Sequence, residues 1–87
     1  MGRMDTFSIF IVEDDKVYGE MLKYHLGLNP EHEVTLFSNG KECLKNLYRK
    51  PHMISLDYSL PDLTGEEVIQ KVRDFDPDLP VVVVSGQ

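Results

Sequence analysis

The chain has 87 residues, of which 41% are hydrophobic and 28% charged, a mixture typical of one small globular domain. Fifteen acidic residues against nine basic ones give a net charge of −6, which argues against nucleic acid or an anionic membrane as the main partner. The single cysteine, Cys43, excludes an internal disulfide and a cysteine zinc site. The early apolar run at 7–12 is too short for a membrane span or a signal peptide, so we expect a soluble, cytoplasmic protein.

Two apolar patterns alternate along the chain, beginning with a strand pattern and a helix pattern. The nearly continuous apolar run Phe7–Val12 predicts a parallel strand that is covered on both faces. Apolar residues then recur at spacings of four, three and four, which predicts a helix with this apolar stripe: Val17, Met21, Tyr24 and Leu28. Met21 is therefore expected in the core, and the pair at 29–30, Asn-Pro, ends the helical segment.

The same alternation continues to the end of the chain. Further strands are predicted at 34–37, at 53–56 and at Val81–Val84. The two helices between them are predicted from these apolar positions: Cys43, Leu44, Leu47 and Tyr48 in the second helix, and Val68, Ile69, Val72 and Phe75 in the third. Thr64 and Glu67 match a capping box at the start of the third helix. This β-α-β-α-β-α-β order predicts an α/β fold with a parallel sheet, right-handed crossovers and helices on both faces.

Acidic residues follow two of the predicted strands directly. Glu13, Asp14 and Asp15 follow the first strand, and Asp57 ends the third. Ligands of open α/β sheets bind beyond the carboxyl ends of the strands, so these carboxylates converge if the two strands are neighbours. Because like charges disfavour joint ionisation, a hard divalent cation such as Mg²⁺ would stabilise the cluster. The pattern suggests a phosphoryl site in which one carboxylate acts as a nucleophile.

A purely structural interpretation accounts equally well for the acids after the first strand. Asp and Glu often cap the following helix and favour its positive end, so Glu13, Asp14 and Asp15 need no ligand. Asp57 is harder to explain in this way, because its loop carries a separate capping candidate in Thr64. The sequence therefore leaves both interpretations of the first acidic group open and favours a chemical one for Asp57.

Three segments of the chain resemble the receiver domain of bacterial two-component response regulators. They are IFIVEDD at 9–15, LDYSLPDLTG at 56–65 and VVVVSG at 81–86. The resemblance extends over essentially the whole of residues 1–87, taken as a single domain. It implies a flavodoxin-like, doubly wound parallel sheet of order 2-1-3-4. It also implies a C-terminally truncated receiver, without the family's fourth helix, fifth strand and fifth helix.

The resemblance also assigns roles to individual residues. Asp57 would accept a phosphoryl group from a phosphohistidine of a partner histidine kinase or phosphotransfer protein. Glu13, Asp14, Asp57 and the backbone carbonyl of Ser59 would hold Mg²⁺. Ser85 would supply the family's switch hydroxyl. The implied activity is a signalling module that is no enzyme beyond self-catalysed phosphotransfer and autodephosphorylation.

Other functions stay open, because the lysine that ends the family's fifth strand has no counterpart in these 87 residues. One alternative is a receiver-like interaction domain that is never phosphorylated. The Val81–Val84 edge is uncharged and β-prone, so we expect a homodimer or larger assembly through this strand or through exchanged segments. A phosphatase of the aspartyl-nucleophile type is less favoured, because its Asp-x-Asp motif would have to stand where Glu13, Asp14 and Asp15 stand.

Overall fold

A four-stranded parallel sheet runs through residues 6–84, the part of the chain that this computed structural model describes. Its elements are, in chain order, β1 Phe7–Val12, α1 Lys16–Leu26, β2 His32–Phe37, α2 Gly40–Lys45, a 3₁₀ turn Leu47–Arg49, β3 Met53–Asp57, α3 Gly65–Phe75 and β4 Val81–Val84. The strand order is β2-β1-β3-β4 and every pair is parallel. The predicted α/β architecture and the sheet order implied by the resemblance are both confirmed.

The main core lies between the sheet and the pair α2 and α3. Phe10 of β1 is fully buried there, and its ring meets Phe37 of β2 edge to face at a centroid distance of 4.8 Å. The helices contribute small and branched side chains to this cluster: Cys43, Leu47, Val68 and Val72. Shape-matched apolar packing of this kind holds two strands and two helices in one fixed arrangement. The parallel pairing of β1 with β3 sets the carboxyl ends of these two strands side by side.

The prediction that the apolar stripe of the first helix faces the core is wrong. All four residues of the stripe are exposed, and Val17 is the most exposed at 81%: Val17, Met21, Tyr24 and Leu28. Met21, which the sequence places in the core, is among them. The sheet instead meets the face of α1 that carries Gly19, which is buried, with Leu22 and Leu26 partly covered. A Cβ at Gly19 would come within 3.0 Å of Leu36 Cδ1, so glycine lets the helix approach β2 closely.

The other helices also end differently from the prediction. The second one has six residues and continues as the 3₁₀ turn, which keeps Leu47 buried but leaves Tyr48 exposed. In α3, Phe75 is the last residue and is 47% exposed, because Leu79 from the following turn fills the core beyond Val72. Tyr48 and Phe75 were thus wrongly predicted to face the core, and in each case the chain changes direction just where they lie.

The start of α3 is fixed by the capping box that the sequence predicts. The Thr64 hydroxyl accepts a hydrogen bond from the Glu67 N–H at 3.1 Å, and the Glu67 carboxylate accepts one from the Thr64 N–H at 2.8 Å. These bonds satisfy N–H groups that have no partner within the helix. They also fix the far end of the loop between β3 and α3. Among the helices of residues 6–84, none has the length and apolar character needed to cross a bilayer.

Candidate metal centre

The carboxyl ends of β1 and β3 bring three acidic side chains together. Val12 and Leu56 are aligned across these neighbouring strands, so Glu13 and Asp57 follow at the same edge of the sheet. One carboxylate oxygen from each of Glu13, Asp14 and Asp57 lies within 4.8 Å of the others. The sequence-based expectation that these carboxylates converge is confirmed for residues that are 44 positions apart.

Short local hydrogen bonds orient the acidic side chains. The Asp57 Oδ1 atom accepts a bond from the Ser59 N–H at 3.1 Å, and Glu13 Oε2 accepts one from the Asp15 N–H at 3.1 Å. The Glu13 N–H in turn donates to the Phe37 carbonyl at 2.9 Å, which extends the pairing of β1 with β2 by one residue. Each carboxylate is therefore held by a backbone N–H two residues further along the chain, just beyond the end of its strand.

Burial makes this cluster electrostatically unfavourable without a cation. Glu13 is 3% exposed and Asp57 is 4% exposed, whereas Asp14 reaches solvent. Burial, opposed in part by the Asp15 N–H and reinforced by Asp57 and Asp14, raises the pKa of Glu13 from 4.5 to about 7. The three side chains offer only oxygen ligands, which are the ligands that Mg²⁺ prefers. The donor set therefore fits a hard divalent cation.

An open cleft lies beside Glu13 and Asp14. It measures about 500 Å³ and lies between α1 and the end of β2, lined by Glu13, Asp14, Lys16, Glu20, Lys23, Leu36 and Ser38. Glu13 is thus buried from most sides yet forms part of the cleft wall. Glu13 and Asp14 are therefore the members of the acidic cluster that this cleft exposes.

The loop between β3 and α3 completes the surroundings of Asp57. Ser59 and Thr64 form an antiparallel bridge, so the loop folds back on itself between these two residues. Asp62, near the middle of the loop, accepts hydrogen bonds from the Gly40 and Lys41 N–H groups at 3.0 and 2.9 Å. Sequence reasoning missed Asp62, because its partners lie 21 and 22 residues earlier and no local pattern marks such a contact.

The remaining residues singled out in the sequence have separate outcomes. Asp15 begins α1 as its cap, since its Oδ1 accepts a bond from the Tyr18 N–H at 3.1 Å. The capping interpretation is therefore right for Asp15, whereas Glu13 and Asp14 join the cluster with Asp57. Ser85, the switch residue implied by the resemblance, lies outside the described residues and stays a prediction.

Comparison with known proteins decides which family has this arrangement. The family model of the response regulator receiver domain matches residues 9–87. The chain belongs to this family. Receiver domains of this kind serve bacterial two-component systems, and phosphorylation on an aspartate with Mg²⁺ is typical of them. The family therefore agrees with the resemblance that the three sequence segments carry.

Curated relatives of this receiver domain are longer proteins. The chain is 33% identical over 82 residues to the transcriptional regulatory protein CssR of Bacillus subtilis, covering 94% of this chain and 36% of that protein. It is 36% identical over 82 residues to protein-glutamate methylesterase/protein-glutamine glutaminase 2 of Paramagnetospirillum magneticum, covering 92% of this chain and 23% of that protein. The chain thus spans about a third or less of these relatives.

Solved receiver structures share the fold. The non-phosphorylated HemR receiver domain of Leptospira biflexa superposes with a TM-score of 0.83 at 31% identity, covering 94% of this chain and 66% of that one. The response regulator TrrA of Thermotoga maritima, solved in complex with Mg²⁺–BeF, gives a TM-score of 0.86 at 25% identity, covering 94% of this chain and 71% of that one. Both similarities extend over nearly all of the present sheet and its helices.

Proposed function

We propose that residues 1–87 act as one receiver domain that accepts a phosphoryl group on Asp57. Mg²⁺ would be held by Glu13, Asp14, Asp57 and the backbone carbonyl of Ser59. The observation that supports this function best is the convergence of three carboxylates within 4.8 Å at the ends of two neighbouring strands. Negative charges this close together, two of them buried, are unfavourable without a cation, and the arrangement matches the chemistry of phosphoryl transfer.

The transfer itself needs a carboxylate that is held still and a donor that loses its phosphoryl group. An oxygen of Asp57 attacks the phosphorus, and the new O–P bond forms as the P–N bond of a phosphohistidine breaks and the imidazole leaves. The Ser59 N–H restrains the Asp57 carboxylate through Oδ1. When bound, Mg²⁺ neutralises charge on the transferring oxygens. Glu13 and Asp14 place negative charge where the cation is needed.

The donor is proposed to be a histidine kinase or a phosphotransfer protein in the same cytosol. The net charge of −6 makes nucleic acid an unsuitable partner for this chain. We assign the switch hydroxyl to Ser85, which follows β4. In the sheet, Val84 at the end of β4 is aligned with Asp57, which motivates this assignment. The regulated process depends on any further domain and on the donor.

Incubation with a small phosphodonor tests the phosphoacceptor function directly. The protein is treated with acetyl phosphate and Mg²⁺, and intact-mass spectrometry with peptide mapping follows the product. We expect a mass gain of one phosphoryl group, located on Asp57, that requires Mg²⁺ and is absent from the Asp57→Asn variant.

Two outcomes of this experiment contradict the proposal. One is an unmodified wild-type chain under conditions that label a complete receiver domain. The other is a modification that persists in Asp57→Asn, which would place the acceptor elsewhere. The Asp74→Asn variant is a matched control, because it removes an exposed carboxylate of α3 outside the cluster and should be labelled like the wild type.

A second candidate function is an interaction domain that is never phosphorylated. It is favoured by the exposed apolar stripe on α1 and by β4, which pairs with β3 alone within residues 6–84. We propose that the 87-residue chain associates with itself through the β4 edge, with either function. Association and phosphorylation can be tested separately, because the first depends on the β4 edge and the second on the Asp57 carboxylate.

A further inference from the structure

Asp62 ties the loop after Asp57 to a distant helix. Its two carboxylate oxygens accept separate hydrogen bonds, Oδ1 from the Gly40 N–H at 3.0 Å and Oδ2 from the Lys41 N–H at 2.9 Å. Both donors belong to the first turn of α2, and such groups have no partner inside their own helix. A bidentate contact to two consecutive N–H groups fixes the carboxylate in both position and angle.

The helix end that Asp62 contacts is itself held firmly. Asn39 caps α2 by accepting the Glu42 N–H at 2.9 Å, so the first three N–H groups of the helix are shared between two side chains. Gly40 is buried, and a Cβ there would come within 3.0 Å of Val68 Cγ2 and 3.2 Å of Leu63 Cδ1. The loop, α2 and α3 therefore pack tightly around this point, and Asp62 is anchored to a rigid element.

The other ties of the loop lie at its two ends. The Ser59 N–H binds Asp57 Oδ1, and Ser59 bridges to Thr64, where the capping box begins α3. Residues 60–63 lie between these points. Among the side chains of these four residues, that of Asp62 forms hydrogen bonds to another element of the described structure. Leu60 and Leu63 also pack against the core, so Asp62 adds a directional polar tie to apolar contacts that fix orientation less precisely.

The charge state of Asp62 suits this role. Partial burial acts to raise its pKa, but the N–H groups of Gly40 and Lys41, with those of Asp62 and Leu63, outweigh burial and lower the pKa below its usual value. An ionised carboxylate accepts both hydrogen bonds at once and is favoured at the positive end of a helix.

We propose that Asp62 is a positioning residue for the metal centre, holding the Ser59 carbonyl and Asp57 in place by anchoring their loop to α2. The inference rests on the proposed function, in which that carbonyl and carboxylate hold Mg²⁺. Groups that orient metal ligands from outside commonly change metal affinity by about 10–100-fold when they are removed. Asp62 acts through a loop, so we expect the lower end of that range.

The test compares Asp62→Ala with Asn39→Ala, which removes the other cap of α2 without touching the loop. Mg²⁺ binding is measured by NMR titration with MgCl₂ alone, and thermal unfolding is measured on the same samples. Both variants should lose a comparable amount of stability, because each removes a capping side chain. Asp62→Ala should raise the Kd for Mg²⁺ by about tenfold, whereas Asn39→Ala should keep the wild-type Kd.

A second readout uses the reciprocity of coupled sites. If Asp62 links the metal centre to α2, Mg²⁺ must shift the amide signals of Gly40 and Lys41 in the wild type and in Asn39→Ala. These shifts should vanish in Asp62→Ala. Asp62→Asn keeps one acceptor oxygen, so its Mg²⁺ Kd should fall between those of the wild type and Asp62→Ala, and it carries the test if the alanine variant fails to fold.

The outcomes that overturn the inference differ from those that overturn the proposed function. An Asp62→Ala or Asp62→Asn variant with the wild-type Kd contradicts the positioning role alone. An equal loss of Mg²⁺ affinity in Asn39→Ala also contradicts the positioning role, because the loss would then be a general effect of α2 stability. A wild-type chain that shows no response to Mg²⁺ contradicts the proposed function, and the positioning role falls with it.

Discussion

In metal-free buffer at pH 8, the Asp57→Asn variant is expected to be more stable than the wild-type chain by about 1–2 kcal/mol. The reason is charge repulsion, since Asp57 lies within 4.8 Å of both Glu13 and Asp14 and is buried with Glu13. The gain in stability is smaller than the full rise in the pKa of Glu13 would suggest. Burial is the largest cause of that rise, and Glu13 stays buried in the variant. For a domain of this size, 1 kcal/mol corresponds to about 4–8 °C in Tm.

The gain should depend on pH in a defined direction. Burial, with the charge of Asp57, raises the pKa of Glu13 from 4.5 to about 7, so the folded chain takes up a proton there that the unfolded chain does not hold at neutral pH. Repulsion therefore costs stability fully above pH 7 and disappears as the pH falls toward 4.5. The advantage of Asp57→Asn should shrink over the same interval, in EDTA, when thermal unfolding is followed by circular dichroism.

Mg²⁺ should make the wild type more stable than Asp57→Asn. A ligand that binds only the folded chain at 100 times its Kd adds about 2.7 kcal/mol of stability. The wild type gains this amount, whereas Asp57→Asn has lost one charged ligand and gains much less. The Asp74→Asn control should follow the wild type under both conditions. A variant that is less stable than the wild type in EDTA would contradict the account, as would an equal response of both chains to Mg²⁺.

The 87-residue chain is expected to form dimers or larger assemblies at micromolar concentrations. Val82 and Val83 of β4 are 48% and 44% exposed, and within residues 6–84 this strand pairs only with β3. An uncharged edge strand with free backbone groups is a template for pairing with another chain. Light scattering coupled to size-exclusion chromatography should therefore give a mass that rises with concentration.

Two substitutions separate the β4 edge from the apolar stripe on α1. Val82→Lys places a charge on the edge strand, a device that blocks strand pairing, and should shift the chain to a monomer. Val17→Lys places the same charge on α1 at a residue that is 81% exposed and should leave the assembly unchanged. A wild-type monomer at high micromolar concentration contradicts the prediction, and a monomer produced by Val17→Lys alone would move the interface to α1.

Much of the site could be predicted because it depends on where strands end. The bounds of β1 and β4 are those that their apolar runs indicate, and the capping box fixes the start of α3. Once β1 and β3 are neighbours, Glu13 and Asp57 must meet, since parallel strands end at the same edge. The neighbour relation came from the family resemblance, because alternation alone leaves several strand orders open.

The errors arose where a contact depends on shape rather than on residue type. The buried face of α1 is centred on Gly19, whose missing side chain lets the helix approach Leu36. A search for apolar periodicity gives glycine no weight, so it selected the stripe that begins at Val17, which faces solvent. Asp62 was missed for a related reason, because its partners are backbone N–H groups, which every residue except proline possesses.

The shared cation is the central claim, and paramagnetic broadening by Mn²⁺ tests it most directly. Mn²⁺ accepts the same oxygen ligands as Mg²⁺, so trace amounts should broaden nearby amide signals first. We predict that broadening begins at Glu13, Asp14, Asp57 and Ser59 and is reversed by excess Mg²⁺. Broadening centred on the acidic turn at 76–78, or signals at Asp57 that survive while others fade, would show that the three carboxylates do not hold one ion.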